Sequence, residues 1–331
     1  MAKPPAAVAA ARRALRDLKL PAGTCVVAGV SGGADSLALA VALAFIAPRL
    51  GWVARAVVVD HGVRPDSADD AAAAAQRCRG LGLEAAVVRV RVPNGGQGPE
   101  ASARQARLTA LLDAAGPEGV VLLAHTLDDQ AETVLLGLAR GSGTRSLAGM
   151  APRNGRILRP FLELTRAQTE AVCAAAGLEP FHDPSNALDG PWRRADGGPL
   201  LRAAVRHRVL PELERTLGPG VAAALARTAR LARQDADALD ALAAAAWERA
   251  LVRRHPAAVE LDVATLAREP AAVRSRVLKR AIIDTGGTAT AGHVWEIDAL
   301  LMDYHGQGPV PYPGGVAQRE GRSLVCGERE L

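Results

Sequence analysis

Two serines, two glycines and an aspartate lie together near the start of the chain, in the hexapeptide SGGADS. An apolar run precedes it and a helical pattern follows, so Gly32 and Gly33 would let the backbone turn closely around a ligand. The N–H groups of such a turn bind anions together with the helix N-terminus, and Ser31 and Ser36 add hydroxyl donors. Asp35 would repel a phosphate unless a cation lay between them, which predicts Mg²⁺.

A strand-to-helix turn capped by serine or aspartate is the alternative interpretation of SGGADS. No lysine follows the glycines, so the segment is not the phosphate loop of kinases and GTPases. The apolar run before the loop, the helix after it and the internal aspartate favour the phosphate site.

A pair of carboxylates follows a later apolar run, in the segment AHTLDDQAET. Asp129 and Glu132 stand three residues apart, so on a helix both can reach one cation. Arg140 lies on the same side. The opposite side, which should face the core, carries Ala131, Val134 and Leu138. An acidic first turn that complements the helix dipole is the alternative, but the position after a strand favours a site for an amine or a metal ion.

Three other candidates are less distinctive by themselves. Asp60 and His61 end the second apolar run, where Asp60 is equally well a helix cap. Arg104 belongs to a helix that begins at Glu100, for which a charged, solvated face is the better interpretation from the residues alone.

Short apolar runs alternate with longer helical patterns through the first 180 residues. The predicted strands are Thr24–Val30, Ala54–Asp60, Ala85–Val92, Val120–Ala124 and Arg156–Arg159. The predicted helices are Ser36–Ile46, Ser67–Gly80, Glu100–Ala115, Asp128–Ala139 and Arg166–Ala176. This alternation predicts an α/β fold with a doubly wound parallel sheet, whose ligands bind at the carboxyl ends of the strands.

A loop-like segment, DPSNALDGPWRRADGGP, separates this part from a smaller and mainly helical one, which predicts a boundary between domains 1–186 and 187–331. The helices predicted beyond it are Leu200–Leu217, Val221–Leu251, Ala271–Thr285 and Ala291–Tyr304. Glycines and prolines between Gly308 and Glu328 predict a small β-hairpin.

The composition excludes several classes of protein. With 331 residues, 49% hydrophobic and 23% charged, the chain can form a large core and is not disordered. Its four cysteines lack the spacing of metal or redox pairs and are typical of a cytoplasmic protein. Its longest apolar run, Leu37 to Pro48, is far shorter than the ~20 residues that span a bilayer. The net charge of +5 permits a polyanionic partner without requiring one.

The order of the motifs resembles a known family. SGGADS after a first strand is similar to the pyrophosphate loop of the PP-loop enzymes, which cleave ATP to AMP and pyrophosphate and load AMP onto an oxygen. Together with DHGVR, E-x-x-AR-x-x-R, AHTLDDQAETVLLGLARGSG and DPSN, in that order, it resembles the tRNA(Ile)-lysidine synthetases. Matching runs continue through LLRAAVRHRVLPEL and WEIDALLMDYHGQGPVPYPGG, so the resemblance covers nearly the whole chain.

The resemblance implies a two-step ligation. ATP adenylates the C2 oxygen of the first anticodon cytidine in a tRNA(Ile) with anticodon CAU, and free lysine then displaces AMP to form lysidine. Residues 1–186 would be the ATP-binding catalytic domain and residues 187–331 the tRNA-binding domain. The expected substrates and cofactors are ATP, Mg²⁺, L-lysine and this tRNA, and a homodimer remains open.

The roles of the family carry over residue by residue. Asp35 would hold Mg²⁺. Arg104 and His125 would stabilise charge as the adenylate forms. Asp129 and Glu132 would hold the substrate lysine. The expected contacts to ATP and its phosphates are Ser31, Gly32, Gly33, Asp35, Ser36, Asp60 and His61.

Contacts to tRNA are expected from basic residues after the boundary. Arg202 and Arg206 share a helix face, for which solvation is the alternative to phosphate binding. Phe181 and Trp192 could stack a splayed base, or simply pack. The full set of expected tRNA contacts is Arg140, Asn186, Arg202, Arg206 and Arg208.

Two departures from the family and two rival functions bear on this interpretation. Gly190–Pro199 interrupts the family pattern as an insertion, and we expect the extra C-terminal domain of longer members to be absent. Another PP-loop tRNA-modifying enzyme, such as a thiolase, usually needs paired cysteines, which this chain lacks. A non-catalytic nucleotide- or tRNA-binding protein is the second rival, against which the intact Asp35, His125, Asp129 and Glu132 argue.

Overall fold

The structure is a computed structural model that divides the chain into two compact units, Met1–Arg233 and Gln234–Leu331. It describes residues 3–62, 66–91, 99–141, 143–181, 183–184, 187–190, 192–194, 196–255 and 257–328. Within these ranges no helix is both long and apolar enough to cross a membrane.

The first unit contains a six-stranded sheet in the order β3-β2-β1-β4-β6-β5. Its strands are β1 (Cys25–Val30), β2 (Val53–Asp60), β3 (Glu84–Arg89), β4 (Val120–Leu122), β5 (Arg153–Asn154) and β6 (Ile157–Leu158). All neighbours are parallel except β5, which pairs antiparallel with β6. The predicted doubly wound parallel sheet is confirmed. The antiparallel strand β5 was not predicted, because it has only two residues.

Helices cover both faces of this sheet. They are α1 (Ala6–Arg16), α2 (Ala34–Leu50), α3 (Ser67–Gly80), α4 (Pro99–Ala115), α5 (Leu127–Ala139), α6 (Thr144–Leu147) and α7 (Arg166–Ala175). Val26 and Ala28 of β1 pack into the core beneath α2, whereas Val27 packs with Leu111 of α4 on the other face. Strands buried on both faces become continuous apolar runs, and this explains why the sequence shows them so clearly.

One face assignment on α5 was partly wrong. Ala131 and Val134 are buried as predicted, but the side chain of Leu138 is 59% exposed. Leu138 lies in the last turn of α5, which ends at Ala139. It is therefore not buried, although it lies on the apolar side of the helix.

The helical segment after the loop packs against α5 and so belongs to the first unit. It consists of α8 (Leu201–Ala204), a π-helical turn (Val205–Val209), α9 (Leu210–Leu217) and the beginning of α10 (Val221–Ala250). Val205 and Leu210 form a small core with Ala131 of α5. The two compact units therefore divide at Arg233. The domain boundary after Asn186 and the assignment of residues 187–331 to tRNA binding stay predictions.

The π-helical turn has a local cause. Pro211 stands at the start of α9. It lacks the N–H group that a continuous α-helix would direct to the carbonyl of residue 207. The wider turn lies directly before it, and such turns are frequent at functional sites.

The second unit is built on a five-stranded antiparallel sheet in the order β7-β8-β11-β10-β9. Its strands are β7 (Leu251–Arg254), β8 (Ala258–Asp262), β9 (Val310–Tyr312), β10 (Gly315–Glu320) and β11 (Ser323–Gly327). Its helices after α10 are α11 (Val263–Ala267), α12 (Ala271–Asp284) and α13 (Ala291–Met302). The predicted hairpin is present as β10 and β11, but β7 and β8 extend it into a sheet that the sequence did not reveal.

Candidate active site

The SGGADS loop joins β1 to α2, and its shape depends on glycine at position 32. Gly32 has a φ of +84°, and an added Cβ would lie 3.3 Å from the Cβ of Ala74. Its carbonyl accepts a hydrogen bond of 2.9 Å from the backbone N–H of Phe181. A side chain at this position would therefore strain the backbone as well as crowd α3.

Two serines close the loop from inside. The Ser36 hydroxyl accepts a hydrogen bond of 3.1 Å from the backbone N–H of Ser31 and donates one of 3.0 Å to the carbonyl of Gly33. Ser36 is buried, whereas Ser31 is exposed. Ser36 thus shapes the loop, while Ser31 presents its hydroxyl to solvent. Direct contact of either with phosphate stays a prediction.

Asp35 lies in the first turn of α2 and is held from α7. Its carboxylate accepts a hydrogen bond of 2.5 Å from the hydroxyl of Thr169, and its Oδ2 lies 3.7 Å from Nε of Arg166. Burial raises the pKa of Asp35, and the contacts with Thr169 and Arg166 oppose this increase. The pKa of Asp35 is raised overall, so these contacts do not fully compensate for the burial of its charge.

Asp129 and Glu132 lie in the first turns of α5, as the spacing predicted. The Oδ2 atom of Asp129 accepts hydrogen bonds from the backbone N–H of Thr126 (2.9 Å) and from its hydroxyl (3.2 Å), completing a capping box. The other oxygen, Oδ1, is left for a cation. Glu132 is fully buried.

A guanidinium group already occupies this carboxylate pair. Nε of Arg206 donates to Oε1 of Glu132 at 2.6 Å, and its Nη2 donates to Oε2 of Glu132 and to Oδ1 of Asp129, both at 3.1 Å. Arg206 lies on the π-helical turn, so the turn aims its side chain at α5. These carboxylates raise the pKa of Arg206 despite its burial. Although burial raises the pKa of Asp129, the Thr126 N–H and the surrounding cations lower it overall.

Arg166 links the carboxylate pair to the loop. Its guanidinium lies 3.7 Å from Asp35, 3.3 Å from Asp129 and 4.0 Å from Glu132. Asp35, Arg166, Asp129, Arg206 and Glu132 thus form one series of alternating charges, which we call the charge-paired chain.

Beside this chain lies a cavity of about 270 Å³, which we call the basic cavity. It is lined by His61, Ala103, Arg104, Arg107, His125, Trp192, Leu200, Arg202, Ala203 and Arg206. Three of its buried nitrogens, Nε of Arg107 and Nδ1 of His61 and His125, have no hydrogen-bond partner among the described residues. Buried polar atoms are normally paired, so a water or a ligand with hydrogen-bonding groups would satisfy these three.

The electrostatics of the basic cavity agree with this. Burial lowers the pKa of His125 to about 3, and the positive charges of Arg159, Arg107 and Arg104 contribute. Burial and Arg107 lower the pKa of His61. Burial also lowers the pKa of Arg107, as do Arg104 and Arg202. Both imidazoles are therefore neutral at pH 7, and the cavity is arranged to receive an anion.

The structure brings eight of the predicted site residues together. Asp35, Asp129 and Glu132 join the charge-paired chain, and four other predicted residues line the basic cavity, namely His61, Arg104, His125 and Arg202. Arg206 belongs to both.

Other predicted residues lie apart from this group. Asp60 accepts a hydrogen bond of 2.8 Å from the N–H of Gly62. Burial raises its pKa, but hydrogen bonds from the Ser67 hydroxyl and the Gly62 N–H lower it overall. The N-cap position of α3 belongs to Asp66, and contact of Asp60 with ATP stays a prediction. Arg140 and Arg208 are exposed and do not line the cavity. Asn186 falls outside the described residues.

Three residues of the site were not predicted from the sequence. Arg166 and Thr169 open the helix that follows the last strands, and Arg107 lies on the helix from Glu100 that was interpreted as a charged, solvated face. For Trp192 the sequence left stacking and packing as alternatives. For Arg166 a usable signal existed, because it follows a strand as the predicted residues do. For the others, the sequence alone does not show that they belong to the site, because this depends on how α4, α7 and the loop that carries Trp192 pack.

Residues 7–213 match the ATP_bind_3 family, described as a PP-loop domain. The chain is 51% identical over 299 residues to a tRNA(Ile)-lysidine synthase of Leifsonia xyli subsp. xyli, covering 89% of this chain and 87% of that protein. It is 50% identical to a tRNA(Ile)-lysidine synthase of Thermobifida fusca, covering 97% of each. A U34-tRNA thiolase of Methanococcus maripaludis, at 20% identity, has a TM-score of 0.55 over 69% of this chain and 78% of its own, a likeness of fold.

Proposed function

Because the chain belongs to the tRNA(Ile)-lysidine synthase family of PP-loop proteins, we propose that it is an ATP-dependent ligase that forms lysidine on tRNA(Ile). The reaction joins the side-chain amine of lysine to C2 of the wobble cytidine in the anticodon CAU. The observation that carries this proposal is the charge-paired chain, which connects the phosphate-binding loop to a carboxylate pair beside the basic cavity.

In the first step the C2 oxygen of cytidine attacks the α-phosphorus of ATP, and the bond to pyrophosphate breaks. The loop around Gly32 and Gly33 offers backbone N–H groups to the phosphates. Arg104 of the basic cavity supplies positive charge as the adenylate forms. His125 is neutral, since its pKa is about 3, so it contributes a hydrogen bond and not a charge. Positioning and charge neutralisation dominate such a step.

A magnesium ion fits the position of Asp35. Mg²⁺ in nucleotide sites is held by one or two carboxylates together with phosphate oxygens and water. Asp35 is a half-buried carboxylate at the loop with its charge partly uncompensated, so it would bind the ion jointly with the phosphates of ATP. When bound, the ion would neutralise charge on those phosphates.

In the second step the lysine amine attacks C2 and AMP leaves. Asp129 and Glu132 would orient an ammonium group of lysine, but Arg206 and Arg166 contact them in the free protein. Lysine therefore has to share or exchange these contacts. The lowered pKa of Asp129 makes it a weak base, so we assign it to orientation and not to removal of the amine proton.

The same function supports a cytoplasmic location, where tRNA, ATP and lysine are present. All four cysteines are free, in agreement with a reducing compartment. A homodimer stays a prediction.

The decisive experiment combines the purified protein with ATP, Mg²⁺, lysine and a tRNA(Ile) bearing the anticodon CAU, followed by mass spectrometry of the digested nucleosides. We expect a lysine-modified cytidine that is lost in Asp35→Ala and retained in Asp69→Ala, an exposed acid of α3. Pyrophosphate release without modified cytidine would indicate a different nucleophile. No product in either assay, with an active reference enzyme, would support a binding protein instead.

A further inference from the structure

The basic cavity is lined by two chemically different kinds of residue. Arg104, Arg107 and Arg202 are cationic. Trp192 is a half-buried aromatic residue, and Leu200 with the alanines of α4 and α8 adds apolar surface. A pyrophosphate or a free phosphate would use only the cationic residues. A nucleotide, which carries a planar base and a phosphate, would use both kinds.

Backbone hydrogen bonds join the residues that directly follow Trp192. The backbone N–H of Arg194 donates to the carbonyl of Gly198, and that of Gly197 donates to the carbonyl of Arg194, both at 2.9 Å. An isolated β-bridge between Arg193 and Pro199 closes the turn. This turn lies inside Gly190–Pro199, the segment that departs from the family pattern, so the departure places an aromatic ring on the cavity wall.

Unsatisfied polar atoms supply an independent indication of a ligand. The Nε atom of Arg107 is buried and has no hydrogen-bond partner in the described part of the chain, and the same holds for Nδ1 of His125. Burial of an unpaired donor is costly, so a ligand with acceptor oxygens or nitrogens would relieve it. Phosphate oxygens suit Arg107, and a base edge suits His125.

We propose that the basic cavity receives the target cytidine of the tRNA as a splayed-out nucleotide, with its base stacked on Trp192 and its phosphate against Arg107. This inference rests on the proposed function. ATP is the other nucleotide present, but its phosphates belong at the SGGADS loop. The cavity instead adjoins the carboxylate pair through Arg206, and lysine has to reach the cytidine there. A cavity of this size holds one ligand of small-molecule dimensions.

The test measures binding of the full chain to two RNAs. One is an anticodon stem-loop with CAU, and the other is the same RNA with an abasic wobble position. We expect Trp192→Leu to weaken binding of the first RNA about tenfold, as for loss of one stacked base, and to leave the second unchanged. Trp192→Phe keeps an aromatic face, so its binding of both RNAs should stay close to that of the wild type. This variant keeps the test usable if Trp192→Leu does not fold.

Two further variants separate the parts of the proposal. Arg107→Gln should weaken the binding of both RNAs equally, since the phosphate remains in the abasic RNA. It should also lower the slope of log K against log salt by about one. Trp295→Leu removes a tryptophan that is 72% exposed on α13, and should leave the difference between the two RNAs unchanged.

Three results would overturn the inference. In the first, Trp192→Leu weakens the binding of both RNAs equally. In the second, a folded Trp192→Leu binds both RNAs as the wild type does, and in the third it binds ATP more weakly but not RNA. Lysidine formation by the wild type, measured in parallel, reports on the proposed function separately. A wild type that makes lysidine while Trp192→Leu binds both RNAs normally refutes the stacking role alone. Base-dependent binding without lysidine refutes the function and retains the nucleotide pocket.

Discussion

The charge-paired chain and the basic cavity are adjacent but electrostatically opposite. In the chain every charged group faces a partner of opposite sign, and Glu132, although fully buried, lies within 4.0 Å of three arginines. In the cavity Arg104 and Arg107 have no carboxylate within ion-pair distance among the described residues, and two imidazoles are kept neutral. The charges of the first region contact partners of opposite sign before any ligand binds, although the pKa of Asp35 stays raised by burial. The cations of the second region would be neutralised by an anion.

This difference predicts that substitutions in the two regions change the free energy of unfolding in opposite directions. Removing one member of a buried, hydrogen-bonded ion pair leaves its partner uncompensated and destabilises the fold. Removing one of several buried like charges relieves repulsion and desolvation. Stability measurements can therefore distinguish the two regions before any substrate is added.

The largest effect is expected for Glu132→Gln. The substitution keeps the shape of the side chain but leaves Arg206 and Arg166 with less negative charge, so we expect a loss of about 3 kcal/mol in the free energy of unfolding. The KM for lysine should rise more than pyrophosphate release falls. Chemical denaturation and steady-state kinetics provide the two measurements.

An exposed ion pair offers a matched control for Glu132→Gln. Glu212 contacts Arg215 one turn away on α9 and is open to solvent. We expect Glu212→Gln to leave the unfolding transition unchanged, because solvent screens exposed pairs. Equal transitions for Glu132→Gln and Glu212→Gln would show that the charge-paired chain does not contribute to stability.

The pH dependence of stability should be dominated by the basic cavity. The folded pKa of His125, about 3, lies below its usual 6.5, so between these values the unfolded chain binds more protons. Stability is therefore full above about pH 6.5 and falls as the pH drops, by about 2 kcal/mol between pH 7 and pH 5 for this group. His125→Gln should reduce the slope, without abolishing it because His61 titrates in the same direction.

Two comparisons sharpen this pH prediction. His305→Gln, at an exposed position, should keep the slope of the wild type. Saturating pyrophosphate should flatten the slope, because an anion in the basic cavity favours the imidazolium form. A wild type equally stable at pH 5 and pH 7 would contradict the burial of an unpaired His125.

A smaller effect of opposite sign is expected for Arg107→Met. Methionine removes a desolvated cation near Arg104 and Arg202, so the free energy of unfolding should rise by about 1 kcal/mol. RNA binding should weaken in the same variant. Arg166→Met is the control within the charge-paired chain and should destabilise. Destabilisation by both variants would mean that the two regions do not differ as described.

The fold was largely predictable because its signals are local. The apolar runs that became β1, β2 and β4 are buried on both faces, and the bounds of α3 agree with those predicted. The strands β5, β7 and β8 could not be predicted, because they are only two to five residues long and so give no clear alternation of polar and apolar residues. Strand β8 in addition pairs with β11, which lies far along the chain.

From residue spacing alone the site was predictable where a residue follows a strand, whereas Arg104 and Arg202 were expected from the family resemblance. Asp35, His125, Asp129 and Glu132 share that position, and the structure brings them together with their neighbours. Arg206 was assigned to tRNA because its sequence position gives its helix face but not what packs there. In the structure its side chain contacts Glu132, through a turn created beside Pro211, and its contact with tRNA stays a prediction.

The smallest effect is expected at Arg208, an arginine of neither region. It is exposed on the π-helical turn, two residues beyond Arg206, so Arg208→Ala should change the free energy of unfolding by no more than about 0.5 kcal/mol. If it contacts a tRNA phosphate as predicted, the variant should weaken tRNA binding regardless of the wobble base and lower the salt slope by about one. An unchanged slope would remove Arg208 from the tRNA interface. Arg206→Ala would lose stability as well, because that side chain neutralises a buried carboxylate before tRNA arrives.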